Sequence, residues 1–420
     1  MSVSVLSALG SRTFASLLRH PNYRLYFAGN GISFIGSWMQ QIAAYWLILE
    51  ITRSPVAVGT LALVQNLPVL VLVLVSGAVA DRFSLRRIII ICESVLAVAA
   101  ATLAVVAVTG KLEAWHLYAL CLLQGIAMAV GAPARHTLVF RIVGSEDLPN
   151  AVALSAGLGT SARIIGPALG GLVIAHAGAW VAFLLNAATC VISISATLAM
   201  TLAPRPHQTV QPIPVLASVG EALAFTYSSR RVAITFFTVL LVSTFSFNFD
   251  VLLPLVARLT LNKNADIFGL IAAVFGGGAL CGALILATIG RARMELMLLG
   301  AAGFGGFQLI LAPQDSLPAV CGILFVIGIF YVLWCSSALA ILQLAAPEHL
   351  RTSATSLYFF AFMGGAPLGG LLAGWLTSQG GTELAFVVAG TIALIIAASG
   401  AAVVRLAPPD FFSSCKRTAG

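Results

Sequence analysis

Two ionisable side chains lie deep within long apolar stretches of the sequence. Arg163 begins the segment "RIIGPALGG", and Asp250 belongs to "FSFNFDVLLP"; each precedes a proline by four residues, Pro167 and Pro254 respectively. If these stretches cross a membrane, a central charge costs about 2.5 to 3.5 kcal/mol even on a lenient insertion scale, so each needs a partner or a polar cavity. The opposite signs predict that Arg163 and Asp250 pair with each other; hydration of Asp250 near the outer surface is the alternative.

Uncharged polar residues recur at helical spacing in another apolar stretch. Asn30, Ser33, Ser37 and Gln41 follow steps of three to four residues and therefore share one helix face, although Gln40 fits the last step equally well. This stripe predicts part of a route for a substrate or for protons. Plain hydrogen bonding between helices would account for any one of these residues as well.

Three further residues extend the same hypothesis. Gln124 and Arg135 share a face with Gly131 in a fourth apolar stretch. Glu93, six residues after Arg87, is a candidate proton carrier, although its side chain can instead extend to the cytoplasmic surface. The predicted pathway therefore includes Gln124, Arg135 and Glu93 together with Arg163, Asp250 and the polar stripe.

Residue patterns typical of enzymes do not occur. The six histidines are scattered without metal-ligand spacing, and there is no Gly-x-x-x-x-Gly-Lys phosphate loop. Six of the seven cysteines lie in apolar stretches and resemble core residues. We therefore expect no catalytic residue, no metal and no cofactor, although a membrane-embedded enzyme is kept as a third alternative.

Composition indicates the setting of these residues. The chain has 420 residues, of which 60% are hydrophobic and 9% charged, with a mean hydropathy of +1.03. A membrane-spanning helix needs about 20 mainly apolar residues. Twelve stretches qualify, and they predict an all-α polytopic membrane protein with twelve transmembrane helices: 25–49, 57–80, 88–108, 117–140, 150–175, 181–203, 232–257, 267–289, 295–312, 318–344, 352–377 and 384–406.

The distribution of positive charge predicts the topology. With a cytoplasmic amino terminus, 16 of the 22 Lys and Arg residues fall on the cytoplasmic side and four on the other, while two lie within spans. Short cytoplasmic loops collect such residues. We expect both termini to be cytoplasmic, the first span to be retained, and the net charge of +8 to reflect topology rather than nucleic-acid binding.

The chain also divides into two halves. The segment "APRPHQTVQPIP" and a following amphipathic stretch separate six spans from six, which predicts an N-terminal bundle at 1–203, a cytoplasmic linker at 204–231 and a C-terminal bundle with its tail at 232–420. "GPALGGLVIA" in the fifth span matches "GAPLGGLLAG" in the eleventh at an offset of 199 residues. Two pseudo-symmetric six-helix halves are typical of transporters.

Two motifs carry a resemblance to a known family. "GAVADRFSLRR", between spans two and three, is similar to the loop signature of the major facilitator superfamily, with Ser84 in place of its second glycine. "RIIGPALGG" resembles the fifth-helix motif of proton-linked exporters in that superfamily, with Ala162 in place of the leading glycine. The fourth-helix exporter motif departs from the pattern, because Cys121 stands where that motif has arginine.

The resemblance implies a role for each motif. It implies a conformational latch formed by Gly77, Asp81, Arg82, Arg86 and Arg87. For the fifth and eleventh spans the residues themselves predict a hinge or packing motif, because small residues allow close helix approach and Pro167 frees a helical carbonyl. Its members are Gly166, Pro167, Gly170, Gly171, Gly365, Pro367, Gly369 and Gly370. Close packing alone would also explain these glycines.

The amino-terminal half resembles the enterobactin-exporter-like branch, which also contains macrolide-type drug exporters, through "RHPNYRLYFAGNGISFIGSWMQQIAAYWLILEITRSPVAVG" and "GAPARHTLVFRIVGSEDLPNAVAL". This implies a monomeric secondary transporter in the bacterial inner membrane that exports a siderophore-like or drug-like molecule by alternating access, with protons as the coupling ion. Import of a nutrient through the same fold is the alternative function.

Overall fold

The computed structural model describes residues 14–201, 226, 229–290, 293–346 and 351–405, and gives only the backbone for 73–82, 351–353 and 356. The predicted linker at 204–231 therefore lies almost entirely outside the described residues. Within the described ranges the chain is helical and contains no strand. The prediction of an all-α polytopic membrane protein is confirmed.

The helices are numbered in chain order. In the first part of the chain they are α1 (Ala15–Arg19), α2 (Pro21–Thr52), α3 (Pro55–Arg82), α4 (Leu85–Val108), α5 (Ala114–Ala177) and α6 (Ala179–Ala199). The later ones are α7 (Arg230–Phe245), α8 (Phe249–Leu255) continued by a π-helical turn (Val256–Thr260), α9 (Ala265–Ile289), α10 (Met294–Leu311), α11 (Leu317–Ala345), α12 (Arg351–Gly364) and α13 (Ala366–Arg405).

Ten segments of the described chain are long and apolar enough to cross a membrane, compared with twelve predicted spans. The difference arises from two long helices that each turn at a glycine with positive φ. Gly144 (φ 70°) divides the 64 residues of α5, and Gly381 (φ 71°) divides α13. Only glycine adopts this conformation without strain. Helix α5 therefore contains the fourth and fifth predicted spans, and α13 contains the second part of the eleventh and the twelfth as far as Arg405.

Two predicted spans are broken, which corrects the sequence-based boundaries. The eleventh span, 352–377, is interrupted at Gly365 because Pro367 lacks the N–H of a regular helix and its ring clashes with a preceding carbonyl. The seventh span, 232–257, is interrupted between α7 and α8. There the Asn248 amide donates to the Thr244 carbonyl at 2.9 Å, and the Ser246 hydroxyl donates to the Ala389 carbonyl at 2.6 Å.

The chain forms two compact units. The first combines Met1–Ile213 with Phe249–Gly276, as far as these ranges are described. In it α2 packs against α5 and α6, α3 against α5, and α4 against α5 and α6. The core between these helices is apolar, with Tyr23, Leu85 and Leu138 fully or almost fully buried. The Tyr23 hydroxyl also donates a 2.7 Å hydrogen bond to the Ala151 carbonyl, which joins α2 to the part of α5 that follows Gly144.

The second unit combines Pro214–Asn248 with Gly277–Gly420. Here α10 packs against α11 and α13, and α7 packs against α11, α12 and α13. Its core is aromatic: the rings of Phe304 and Trp334 are fully buried, with centroids 5.9 Å apart. The boundary between the predicted halves stays a prediction, because the compact units follow packing rather than chain order.

Candidate functional site

A buried ion pair joins α4 to α5 in the first unit. The Arg135 Nη1 atom lies 3.2 Å from Glu93 Oε1, and the two side chains are only 7% and 3% exposed. From α2, the Ser33 hydroxyl donates to Glu93 Oε2 at 3.1 Å. Three helices therefore meet at one carboxylate, in a setting where removal of either charge would leave the other uncompensated.

The local sequence explains why Glu93 points inward. Ile89, Cys92 and Leu96 belong to the buried face of α4, and Glu93 lies beside Cys92 on that face. The Glu93 side chain does not extend to the cytoplasmic surface, so the surface alternative is wrong. Arg135 is held in the same way on α5, where its Nη2 atom lies 3.4 Å from the Met128 sulfur.

A cavity lies farther along α2, within the same unit. Its volume is about 30 Å³, which is room for about two water molecules, and it opens to solvent. Its wall combines residues of α2 and α5 with residues of α8 and α9. The lining residues are Trp38, Gln41, Ile42, Tyr45, Arg163, Pro167, Phe249, Asp250, Leu253, Phe268, Ala272, Phe275 and Gly276.

Both charges that the sequence singles out lie in the wall of this cavity. The Arg163 guanidinium carbon is 5.1 Å from the centroid of the Trp38 ring, a cation–π arrangement. Asp250 is exposed, and the described part of the chain offers its carboxylate no hydrogen bond or ion pair. Arg163 and Asp250 share a cavity, but the predicted ion pair between them is not formed.

The rest of the wall is mainly aromatic. The rings of Phe249 and Phe275 stack with centroids 4.9 Å apart. Tyr45 is 1% exposed, and its hydroxyl lies next to the Gln41 side chain, which also lines the cavity.

The polar stripe on α2 separates into different environments. Ser33 contacts Glu93, whereas Gln41 lines the cavity. Gln40 belongs to neither site, because the Asn186 side-chain amide of α6 donates to the side-chain oxygen Oε1 of Gln40 at 2.6 Å. Asn30 is buried and Ser37 is half-buried. Gln124 is buried on α5, and in the described structure it neither joins the ion pair nor lines the cavity.

The glycines of the fifth-span motif pack closely against neighbouring backbone. A Cβ atom added at Gly171 would lie 2.6 Å from the Ala265 carbonyl oxygen, and one at Gly269 would lie 2.8 Å from the Gly171 Cα. Gly166 and Gly170 face Trp38 and Met39 of α2 in the same manner. Pro167 lies within a helical part of α5, and its carbonyl oxygen faces Gly269.

The matching residues of the eleventh span show the same packing. A Cβ atom added at Gly369 would lie 2.7 Å from the Asn248 side-chain oxygen, and Gly365 faces the Thr244 side chain. Pro367 and Gly370 are buried near the start of α13. Both copies of the motif thus form close helix contacts, each within its own unit.

The predicted latch lies where α3 ends and α4 begins. Gly77, Asp81 and Arg82 lie in the last turns of α3, and their side chains are outside the described residues. Arg86 donates a hydrogen bond to the Leu198 carbonyl at the end of α6, whereas Arg87 is exposed. The conformational role of this segment stays a prediction.

Sequence reasoning missed the aromatic wall. Trp38, Gln41 and Tyr45 recur at helical spacing on α2, as do Phe268, Ala272 and Phe275 on α9. That period was available in the sequence, and only the polar members of these faces were singled out. No group of three or more His, Cys, Asp or Glu side chains that could bind a metal ion occurs in the described ranges.

Comparisons with known proteins identify the family of the chain. A model of the transmembrane secretion effector family matches residues 11–416. The multidrug efflux pump Tap of Mycolicibacterium fortuitum is 27% identical over 92% of this chain and 95% of its own length. The staphyloferrin A transporter of Staphylococcus aureus (strain NCTC 8325 / PS 47) is 24% identical over 63% of this chain and 67% of its own.

Solved structures show the same fold at lower identity. The crystal structure of the nucleoside transporter NupG superposes with a TM-score of 0.74 at 16% identity, covering 92% of this chain and all of that one. The similarity supports the helical architecture alone.

Proposed function

We propose that this chain exports a small amphipathic molecule from a bacterial cell in exchange for protons. The chain belongs to the transmembrane secretion effector family of the major facilitator superfamily. Its membership makes it a multi-pass membrane transporter and not an enzyme. Direction, substrate and coupling ion are the proposed parts, together with the inner membrane as its location and cytoplasmic termini.

The cavity is the observation that carries the proposal. It presents apolar aromatic rings together with Arg163 and Asp250, which suits a molecule with both a hydrophobic body and polar groups. Its wall also draws on both halves of the sequence, since α2 and α5 precede the predicted linker while α8 and α9 follow it. A substrate there touches elements that must separate during alternating access.

The Glu93–Arg135 pair supports proton coupling. A buried carboxylate is stable either as an ion pair or in its neutral protonated form. Protonation of Glu93 would remove the attraction that holds Arg135 of α5 against α4 and leave Ser33 of α2 with a weaker acceptor. One proton would thereby change the contacts among three helices, and two of these, α2 and α5, also line the cavity.

The glycine contacts and the latch complete the proposed cycle. Close approach at Gly171 and Gly269 allows α5 and α9 to meet without intervening side chains, so the contact can separate with little rearrangement. We assign the segment from Gly77 to Arg87 to a latch that stabilises one conformation. The two halves of the sequence, 1–203 and 232–420, are the proposed moving bodies, within a single monomer.

Everted membrane vesicles test the proposal directly. A panel of siderophores and drugs is offered to vesicles that contain the chain, with and without an uncoupler. The proposal expects accumulation of at least one compound that the uncoupler abolishes and that vesicles lacking the chain do not show. Gradient-driven uptake into intact cells, with none into everted vesicles, would favour the importer instead.

A further inference from the structure

The geometry points to Arg258 as a positioning residue for transport. We infer, on the basis of the proposed function, that Arg258 holds one end of the cavity closed through its contact with the Trp46 ring, and that this contact separates when a molecule passes. This is the end toward which α2 runs, and it faces the outside of the cell in the proposed topology. Every contact that carries the inference lies within the first compact unit.

The size of the cavity provides the first step. Its volume is about 30 Å³, whereas pockets that enclose a drug-sized molecule measure about 300 to 1,000 Å³. The helices around the cavity must therefore separate before such a molecule can enter or leave. The contacts beyond each end of the cavity determine where the helices can separate.

The order of residues along the helices provides the second step. The last cavity-lining residues on α2, α5 and α8 are Tyr45, Pro167 and Leu253. In the proposed topology all three helices run outward at this point. Trp46, Gly171 and Arg258, which follow the cavity residues along the chain, therefore lie on the outer side of the cavity.

Three contacts close this outer side. The guanidinium carbon of Arg258 lies 5.8 Å from the centroid of the Trp46 ring. The Trp46 ring is 3% exposed and stacks on the ring of Phe268, with centroids 6.3 Å apart, and Phe268 also lines the cavity. Next to Phe268, the backbone of Gly269 touches that of Gly171. Trp46 thus lies between the cavity wall and the exposed Arg258.

Arg258 belongs to the π-helical turn that follows α8. The Leu261 amide donates to the Val256 carbonyl at 2.9 Å, and the Lys263 amide donates to the Ala257 carbonyl at 2.8 Å, so the turn is wider than an α-helical one. Such turns are rare and occur frequently at functional sites. Because successive residues of a helix differ in direction by about 100°, the additional residue of the turn changes where its side chains point. The contact of Arg258 with Trp46 therefore depends on this turn.

The strength of the contact suits a reversible closure. Arg258 is exposed, and a cation–π contact at an exposed site shifts an equilibrium between two states by about two- to fivefold. The neighbouring glycine contact has no side chains to rearrange when it separates. Closure is thus favoured by Arg258 without being made permanent.

Distances between two spin labels test the inference. Nitroxides are attached through p-acetylphenylalanine at positions 51 and 259, so that the native cysteines are retained. Ile51 on α2 and Leu259 in the π-helical turn are both exposed and lie on the two sides of the contact. Double electron–electron resonance of the full-length chain in lipid nanodiscs then gives the ratio of the longer, open distance to the shorter, closed one.

The variants separate the role of Arg258 from that of charge in general. Arg258→Gln should raise the ratio of open to closed distances by about two- to fivefold, because the cation is lost. Arg258→Lys keeps a cation and should raise the ratio by less than about twofold. Lys263→Gln is the matched control, since it removes a positive charge at an exposed position in the same segment, and it should leave the ratio unchanged. Arg258→Gln combined with Trp46→Leu should give the ratio of Trp46→Leu alone, because the guanidinium then has no ring to contact.

Three results would overturn the inference. These are equal ratios in Arg258→Gln and Lys263→Gln, additive effects of Arg258→Gln and Trp46→Leu in the double variant, or one unchanged distance in wild type and every variant. Near-wild-type ratios in Arg258→Lys and Lys263→Gln show that an increase in Arg258→Gln is not a general loss of structure. The experiment involves no transported compound, so its failure leaves the exporter proposal to the everted vesicles, and a failure of accumulation there leaves the role of Arg258 to these distances.

Discussion

The buried pair of Arg135 and Glu93 makes a strong prediction about stability. Replacing one partner leaves the other charge buried without a counter-charge, because the Arg135 and Glu93 side chains are only 7% and 3% exposed. Such a loss costs about 3 to 5 kcal/mol, whereas replacing both partners by neutral groups is often much less costly. We therefore expect Arg135→Gln and Glu93→Gln each to lower the free energy of unfolding by about 3 to 5 kcal/mol, and the double variant to lie nearer wild type than either single one.

Unfolding of the purified chain by sodium dodecyl sulfate in mixed micelles measures these differences. Arg24→Gln is the control, because it makes the same chemical change on α2 at an exposed position and should alter stability by no more than about 0.5 kcal/mol. If Arg135→Gln behaved like Arg24→Gln, or if the double variant lost the sum of both single losses, the two side chains would not form the pair described.

Two further predictions concern packing and hydrogen bonding in the first unit. Gly269→Ala should destabilise the chain by about 1 to 3 kcal/mol in the same unfolding assay, because the new Cβ would lie 2.8 Å from the Gly171 Cα. Gly277→Ala on the same helix should be neutral, because the nearest neighbour of its new Cβ is 3.8 Å away. Equal losses of stability in the two variants would contradict the close crossing of α5 and α9. Tyr23→Phe should cost about 1 to 1.5 kcal/mol by losing the hydrogen bond to the Ala151 carbonyl, and an unchanged stability would mean that this bond contributes nothing.

The helices could be predicted from the sequence to a large extent, because lipid-spanning stretches have a length and composition that local residues reveal. The turns and breaks within the helices were harder to predict from the sequence. Gly144 is one of 39 glycines in the chain, and nothing local distinguishes it as the turn inside α5. The break at Gly365 has a local cause in Pro367, yet Pro167, the corresponding proline of the first half, lies within a helical segment.

The candidate site was predicted in part. Arg163 and Asp250 were identified because charges in apolar stretches are costly, and both line the cavity. Their environments depend on contacts between distant parts of the chain, so the cation–π contact of Arg163 with Trp38 and the absence of an ion pair to Asp250 could not be inferred. Glu93 and Arg135 are 42 residues apart, and their pairing follows from the packing of α4 against α5.

The most direct test of the proposed transport mechanism separates coupling from movement of the substrate. The double variant Glu93→Gln with Arg135→Gln is reconstituted in proteoliposomes beside wild type, with a compound that everted vesicles accumulate. Two quantities are measured: accumulation driven by an imposed pH gradient, and exchange of internal for external substrate without any gradient. The account predicts that wild type does both, whereas the double variant exchanges substrate but does not accumulate it. Accumulation by the double variant at the wild-type level would contradict the role of this buried pair in proton coupling.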